Sequence, residues 1–217
     1  MNQLQLFENL EGTKAENRVK DRIQEINKAK NKQAFNLFRR ELFFALLNKD
    51  ETKYQLADKV IDQIKAKGLS YVLCKISDEA RRFRNLARQV KMEYNRAISF
   101  SRLKPVDQQR VLLGKFEIKH QTQEMIMLHF MRRFPQYNIV FIFGDEAYIG
   151  RDKEIFREKI DRKKIELPEK KDEFEQYWLT FYRTQFIPER RNIRYLKRMI
   201  PKKYWKWTVE LKEFGLK

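Results

Sequence analysis

Apolar positions recur with helical period over residues 34–46, where Ala34, Phe35, Leu37, Phe38, Leu42, Phe43, Ala45 and Leu46 form one stripe. The charged stretch 14–32 precedes it in the same predicted helix, 13–48, as a polar and partly exposed arm. Asn48-Lys49-Asp50 breaks the pattern. A second helix over 51–67 places Tyr54, Ala57, Val60, Ile61 and Ile64 on one face and stops at Gly68, a residue suited to closing helices. Ser77 caps a third helix running to about residue 98, with Asp78 and Glu79 in its positively polarised first turn.

Beyond Pro105 the period shortens. Residues 110–118, RVLLGKFEI, read as a strand, and 121–134 as a helix with Met125, Ile126, Leu128 and Phe130 apolar. Residues 138–143 and 147–151 read as strands around a hairpin turn at Gly144-Asp145-Glu146. The charged stretch 152–171 is weakly helical and is expected to be a surface excursion ending at Pro168. Helix returns over 172–186, Pro188 interrupts it, and two short helices finish the chain. No internal repeat or low-complexity linker is visible. The pattern predicts an α+β fold, a predominantly helical single domain over 35–217 with a small antiparallel sheet of about three strands. A partly exposed helical arm, 1–34, precedes it.

Charge adds a partner. The formal net charge is +18, which calls for a polyanion, and a membrane surface is disfavoured because no polybasic amphipathic anchor or lipidation motif stands out. Residues 71–120 carry net +7 and residues 178–217 net +8, whereas 121–177 carry −1. These two segments make a single basic face if the fold brings them together. No apolar run reaches spanning length, the N-terminus MNQLQLFENLEG does not read as a signal peptide, and the lone cysteine, Cys74, excludes an internal disulfide. A cytoplasmic location is expected.

The second basic segment is the richest. From Trp178 to Trp207 it holds nine Lys/Arg, one acid (Glu189) and eight aromatic residues. Arg183, Arg190, Arg191, Arg194, Arg198, Lys202 and Lys203 alternate with Tyr182, Phe186, Tyr195, Tyr204, Trp205 and Trp207. Cations for phosphates beside rings for stacking suit single-stranded or distorted nucleic acid. The plainer reading makes the rings core and the charges solvated, since rings at helical spacing usually face inward. Clustered arginines are harder to explain that way, because each presents a planar fork matched to phosphate.

Motifs in this segment carry a resemblance. Trp178-x3-Tyr182-Arg183, Ile187-Pro188-Glu189-Arg190-Arg191-Asn192, Ile200-Pro201-Lys202-Lys203-Tyr204-Trp205 and Glu210 resemble the C-terminal signature of a poorly characterised family assigned to DNA metabolism. Upstream, Val90-x2-Glu93-x2-Arg96, Ser99-Phe100-x-Arg102-Leu103, and His120 followed by His129-Phe130-x-Arg132-Arg133-Phe134-Pro135 resemble further segments of it. Ile200 stands where the family usually has Met, a conservative change. Asn95 replaces the usual His, so a proton-transfer role for that His does not carry over. The resemblance spans roughly residues 35–212. In that family the domain is fused to uracil-DNA glycosylase-like modules or encoded beside a radical-SAM protein of DNA repair or modification. It therefore implies DNA rather than RNA, and an enzymatic partner of one of those kinds.

Catalytic signals are sparse. His120 and His129 are nine apart and make no paired helical metal motif, and neither a Walker loop nor a radical-SAM cysteine triplet is present. Neither cofactor nor metal is expected. Asp145 and Glu146 are read as turn formers ahead of a Mg²⁺ site. Glu93 and Glu210 lie among cations and are read as ion-pair partners that hold arginine forks in place.

The leading reading is an accessory protein of DNA repair or modification without independent catalysis. Its nucleic-acid contacts are Arg96, Arg102, Arg183, Arg190, Arg191, Asn192, Arg194, Lys202 and Lys203, with Tyr204 and Trp205 as stacking surface or as the core anchor behind it. Two alternatives stand beside it. One is a nucleic-acid-processing enzyme using His120, Glu93 and Asp145. The other is a basic protein-interaction module, RNA-associated assemblies included.

Overall fold

The computed structural model describes residues 14–26, 32–106, 110–160, 173–208, 211, 214 and 215. The chain divides into two compact units, one formed by Met1–Tyr94 with Lys119–Thr122, the other by Asn95–Ile118 with Gln123–Lys217.

The first unit is helical. It holds α1 (Lys14–Ile26), α2 (Lys32–Leu46), α3 (Lys53–Lys67), α4 (Leu69–Leu73) and most of α5 (Asp78–Phe100). Most of the apolar stripe read from the sequence is core: Phe35, Phe38, Leu42 and Phe43 of α2 are buried, as are Ala57, Val60 and Ile61 of α3, whereas Leu37 of the same α2 stripe is exposed. Phe38 stacks on Phe83 of α5 at 6.0 Å. The polar arm is tied down as well. Val19 and Ile23 of α1 are buried, and the Arg22 guanidinium bridges Asp58 and Asp62 of α3.

Local chemistry sets the boundaries. Asp50 Oδ1 accepts from both the amide and the hydroxyl of Thr52, at 2.9 and 2.6 Å, and turns the chain into α3. Gly68, at φ 85°, separates α3 from α4. Ser77 Oγ accepts from the Ala80 amide at 3.1 Å, the cap expected for α5.

The second unit carries a five-stranded mixed sheet, not a small antiparallel one of about three strands. Its order is β1 (Lys104–Val106), β2 (Val111–Phe116), β3 (Asn138–Phe143), β4 (Glu146–Arg151) and β5 (Glu154–Lys159). Neighbours are antiparallel except β2 and β3, which run parallel from Val111↔Asn138 to Phe116↔Phe143. That pair needs a crossover, and α6 (Gln123–Arg133) supplies it between the two strands. Met125, Ile126, Met127 and Phe130 of α6 are buried, and Phe130 meets Phe141 of β3 edge-on at 5.3 Å. Phe116 lies between Phe141 and Phe143, at 4.6 and 5.3 Å.

Residues 154–159, expected as surface excursion, form β5, whose residues are mostly exposed and whose order comes from pairing with β4. The excursion expected over 161–171 lies outside the described residues. The C-terminal part consists of α7 (Glu173–Gln185), a 3₁₀ turn at Pro188–Arg190, α8 (Ile193–Met199) and a second 3₁₀ stretch at Lys202–Trp207.

Candidate functional site

Two constellations bring candidate residues together, one in each unit. In the first, α5 presents Glu93 to the returning segment Lys119–Thr122. The Glu93 carboxylate accepts from the Lys119 amide at 2.9 Å and from the His120 amide at 2.8 Å. His120 is buried, and its Nδ1 accepts from the Lys49 amide at 3.3 Å, which fixes Nδ1 as the unprotonated ring nitrogen. The Gln121 amide donates to the Leu47 carbonyl at 2.9 Å, and Asn48 Nδ2 donates to the Leu86 carbonyl at 3.0 Å. Glu93, His120 and Asn48 are thus engaged with the backbone of three separate stretches. This polar seam has the character of a fastening. Asp145, the third catalytic candidate, belongs to the other unit and sits exposed in the two-residue turn between β3 and β4. Among the described residues no three His, Cys, Asp or Glu gather as a metal site.

The second constellation lies wholly in the second unit and joins the end of α5 and the residues after it to the C-terminal segment. Phe100 packs on Tyr204 at 5.6 Å, the Lys203 ammonium donates to the Glu117 carbonyl, and the Arg102 guanidinium lies 6.0 Å from the Trp178 ring centre. Residues from both basic stretches therefore meet in this unit.

Within that segment the rings divide into two groups. Tyr204 and Trp205 expose only 1% and 9% of their surface, and Trp205 packs with Leu196, Ile200, Leu211 and Phe214. Trp205 Nε1 also donates to the Ile200 carbonyl at 2.8 Å. Of the two roles open to them, these residues fill the anchor role. By contrast Tyr177, Phe181 and Tyr195 expose 69, 54 and 55%, more than packing explains. Nothing in their spacing separated them from the buried rings, because helical periodicity identifies a face without saying what covers it.

The cations divide as well. Arg190, Arg194 and Lys202 are exposed, Lys202 at 6.0 Å from the Trp205 ring, and Arg96 is half-buried on α5. Arg102 donates to the Ser99 and Ser101 carbonyls at the end of α5. Asn192 acts locally, its side chain accepting from the Tyr195 amide at 2.9 Å to cap α8. Glu210 lies outside the described residues.

Arg183 and Arg191 flank a cleft of about 170 Å³ whose other walls are Tyr182, Phe186 and Phe214. The i,i+4 spacing of Tyr182 and Phe186 sets their rings side by side at 6.0 Å and 30°. Phe214 meets both nearly at right angles, at 6.1 and 5.5 Å, and carries the Arg191 guanidinium 5.6 Å from its centre. Phe214 falls beyond the motif-bearing stretch, so only its placement in the fold reveals it.

Among the described residues no helix is long and apolar enough to cross a membrane. Comparison with curated proteins and with solved structures finds no match. A family model does match, covering residues 51–210, about three quarters of the chain, with parts in both units. The chain belongs to that family, the domain of unknown function DUF4130.

Proposed function

We propose that this protein is a nucleic-acid-binding accessory factor of DNA repair or modification, acting beside a separate enzyme. The observation that carries the reading is the C-terminal stretch, which exposes the cations Arg190, Arg194 and Lys202 and the rings Tyr177, Phe181 and Tyr195 and holds a ring-walled cleft lined by two arginines. A net charge of +18 supports it independently, since a protein so basic concentrates polyanions at its surface. The choice of DNA, and of a radical-SAM or uracil-DNA glycosylase-like partner, rests on the motif resemblance alone.

The test is fluorescence anisotropy with single-stranded DNA, duplex DNA, uracil-containing duplex and RNA, each across a salt series. A preferred form with a steep salt dependence is expected, the logarithmic slope gaining about 0.7 per neutralised phosphate on a single strand. Arg190→Glu with Arg191→Glu should weaken binding at least tenfold while leaving the melting temperature unchanged. Weak, shallow binding to all four polymers would reject the reading and send the search to an acidic protein partner.

A further inference from the structure

The cleft formed by Tyr182, Arg183, Phe186, Arg191 and Phe214 has a shape and charge that select a ligand class. About 170 Å³ is below the roughly 300–1,000 Å³ of pockets that hold drug-sized molecules, and suits one flat ring system. Two neighbouring rings make one wall and a perpendicular ring makes the next, so a planar group can stack on one while meeting the edge of another. Aromatic cages of this kind also take quaternary ammonium groups, but two arginines in the lining oppose a cation. A purely apolar ligand would gain nothing from the positive charge of Arg183 and Arg191 in the lining. A planar group attached to an anion satisfies both features, and a nucleotide is such a group.

We infer that this cleft holds one unstacked base of a single DNA strand, with Arg183 and Arg191 on the adjoining phosphates. The inference rests on the nucleic-acid reading and sharpens it: most of the surface tracks backbone charge, whereas the cleft reads the presence of a base. Arg191 over Phe214 extends the stacking surface, because a guanidinium plane also stacks on bases.

The experiment compares binding of the full-length protein to a thymidine oligomer and to an abasic oligomer of equal length, hence equal charge. Removing the bases should weaken wild-type binding about tenfold, the scale of one base–aromatic stack. Phe186→Leu should weaken thymidine-oligomer binding to the same extent, leave abasic binding and the salt slope unchanged, and keep the wild-type melting temperature. Phe186→Tyr, which restores a ring, should recover the loss. Free thymidine monophosphate should compete only near millimolar concentration, since it lacks the neighbouring phosphates. Equal, salt-sensitive binding of both oligomers by the wild-type protein overturns the base site while leaving the nucleic-acid reading intact. No binding of either overturns both, and micromolar competition by the free nucleotide overturns the assignment to a strand.

Discussion

Glu93→Ala removes the acceptor for two backbone amides at once. The His120 amide is buried and bonds at 2.8 Å, while the Lys119 amide is part-buried and bonds to both carboxylate oxygens at 2.9 Å. A buried donor left without an acceptor costs about 1–3 kcal/mol. The partly hydrated Lys119 amide recovers some of its loss from water, so the pair should cost about 2–4 kcal/mol. That is a large part of the roughly 5–15 kcal/mol typical of a folded chain. Glu93→Gln keeps one acceptor oxygen but turns an NH₂ toward donors, and should lose about half as much. Urea denaturation would rank wild type above Gln above Ala, with the melting temperature of the Ala variant lowered by about 5–15 °C. Hydrogen exchange adds a local reading, since protection at residues 119 and 120 should fall before protection in the core of α2. An Ala variant within about 0.5 kcal/mol of wild type, with unaltered exchange at both amides, would show that Glu93 does not hold this segment.

Two further predictions concern the second unit. Gly114→Ala on β2 would place a Cβ 2.8 Å from Leu103 Cδ2 and 3.1 Å from ring atoms of Phe116 and Phe141. It should cost about 1–3 kcal/mol, read as an earlier urea midpoint, and an unchanged midpoint would mean that this layer yields to an added methyl group. His129 on α6 is held below its ordinary value by burial first and by Arg133 and Arg132 next. The unfolded imidazole therefore takes up its proton at higher pH than the folded one, so stability falls as pH drops below about 6.5 and is unaffected above it. His129→Gln should flatten the stability profile between about pH 5 and 7, and an identical profile in the variant would remove His129 as its cause.

The sequence signals that succeeded are those with strong period or strong punctuation. Val60, Ile61 and Ile64 recur helically ahead of Gly68, and Asn138–Phe143 is an apolar run against a glycine turn; both became the elements expected. The failures share a physical reason. β1 contains Pro105, which lacks an amide for the ladder and reads as a breaker, yet an edge strand tolerates it. β5 reads EIFREK, with no buried face, because an edge strand can be ordered by backbone pairing alone. The turn before it places Asp152 and Lys153 at φ 52° and 69°, a conformation usually announced by Asn-Gly or Asp-Gly. The parallel β2–β3 pair leaves no local mark, because direction is decided by where the chain re-enters the sheet. At the candidate site, alternating cations and rings singled out the segment that supplies four of the five cleft residues and the exposed rings Phe181 and Tyr195, but not Phe214 or Tyr177. Which rings are anchors and which are exposed depends on neighbours such as Phe100 and Leu211, outside the run that carries the motifs.

The placement of Lys119–Thr122 within the helical unit also bears on the order in which the protein can be completed during synthesis. Translation delivers α1 to α4 and Glu93 first, then the residues of β1 and β2, and only afterwards the four residues that give Glu93 and Leu47 their partners. At about 5–20 residues per second the helical unit waits roughly one to five seconds for its closing piece. A fragment ending at Tyr94 never receives it, so a gene truncated there encodes an unfinished unit and not a minimal one.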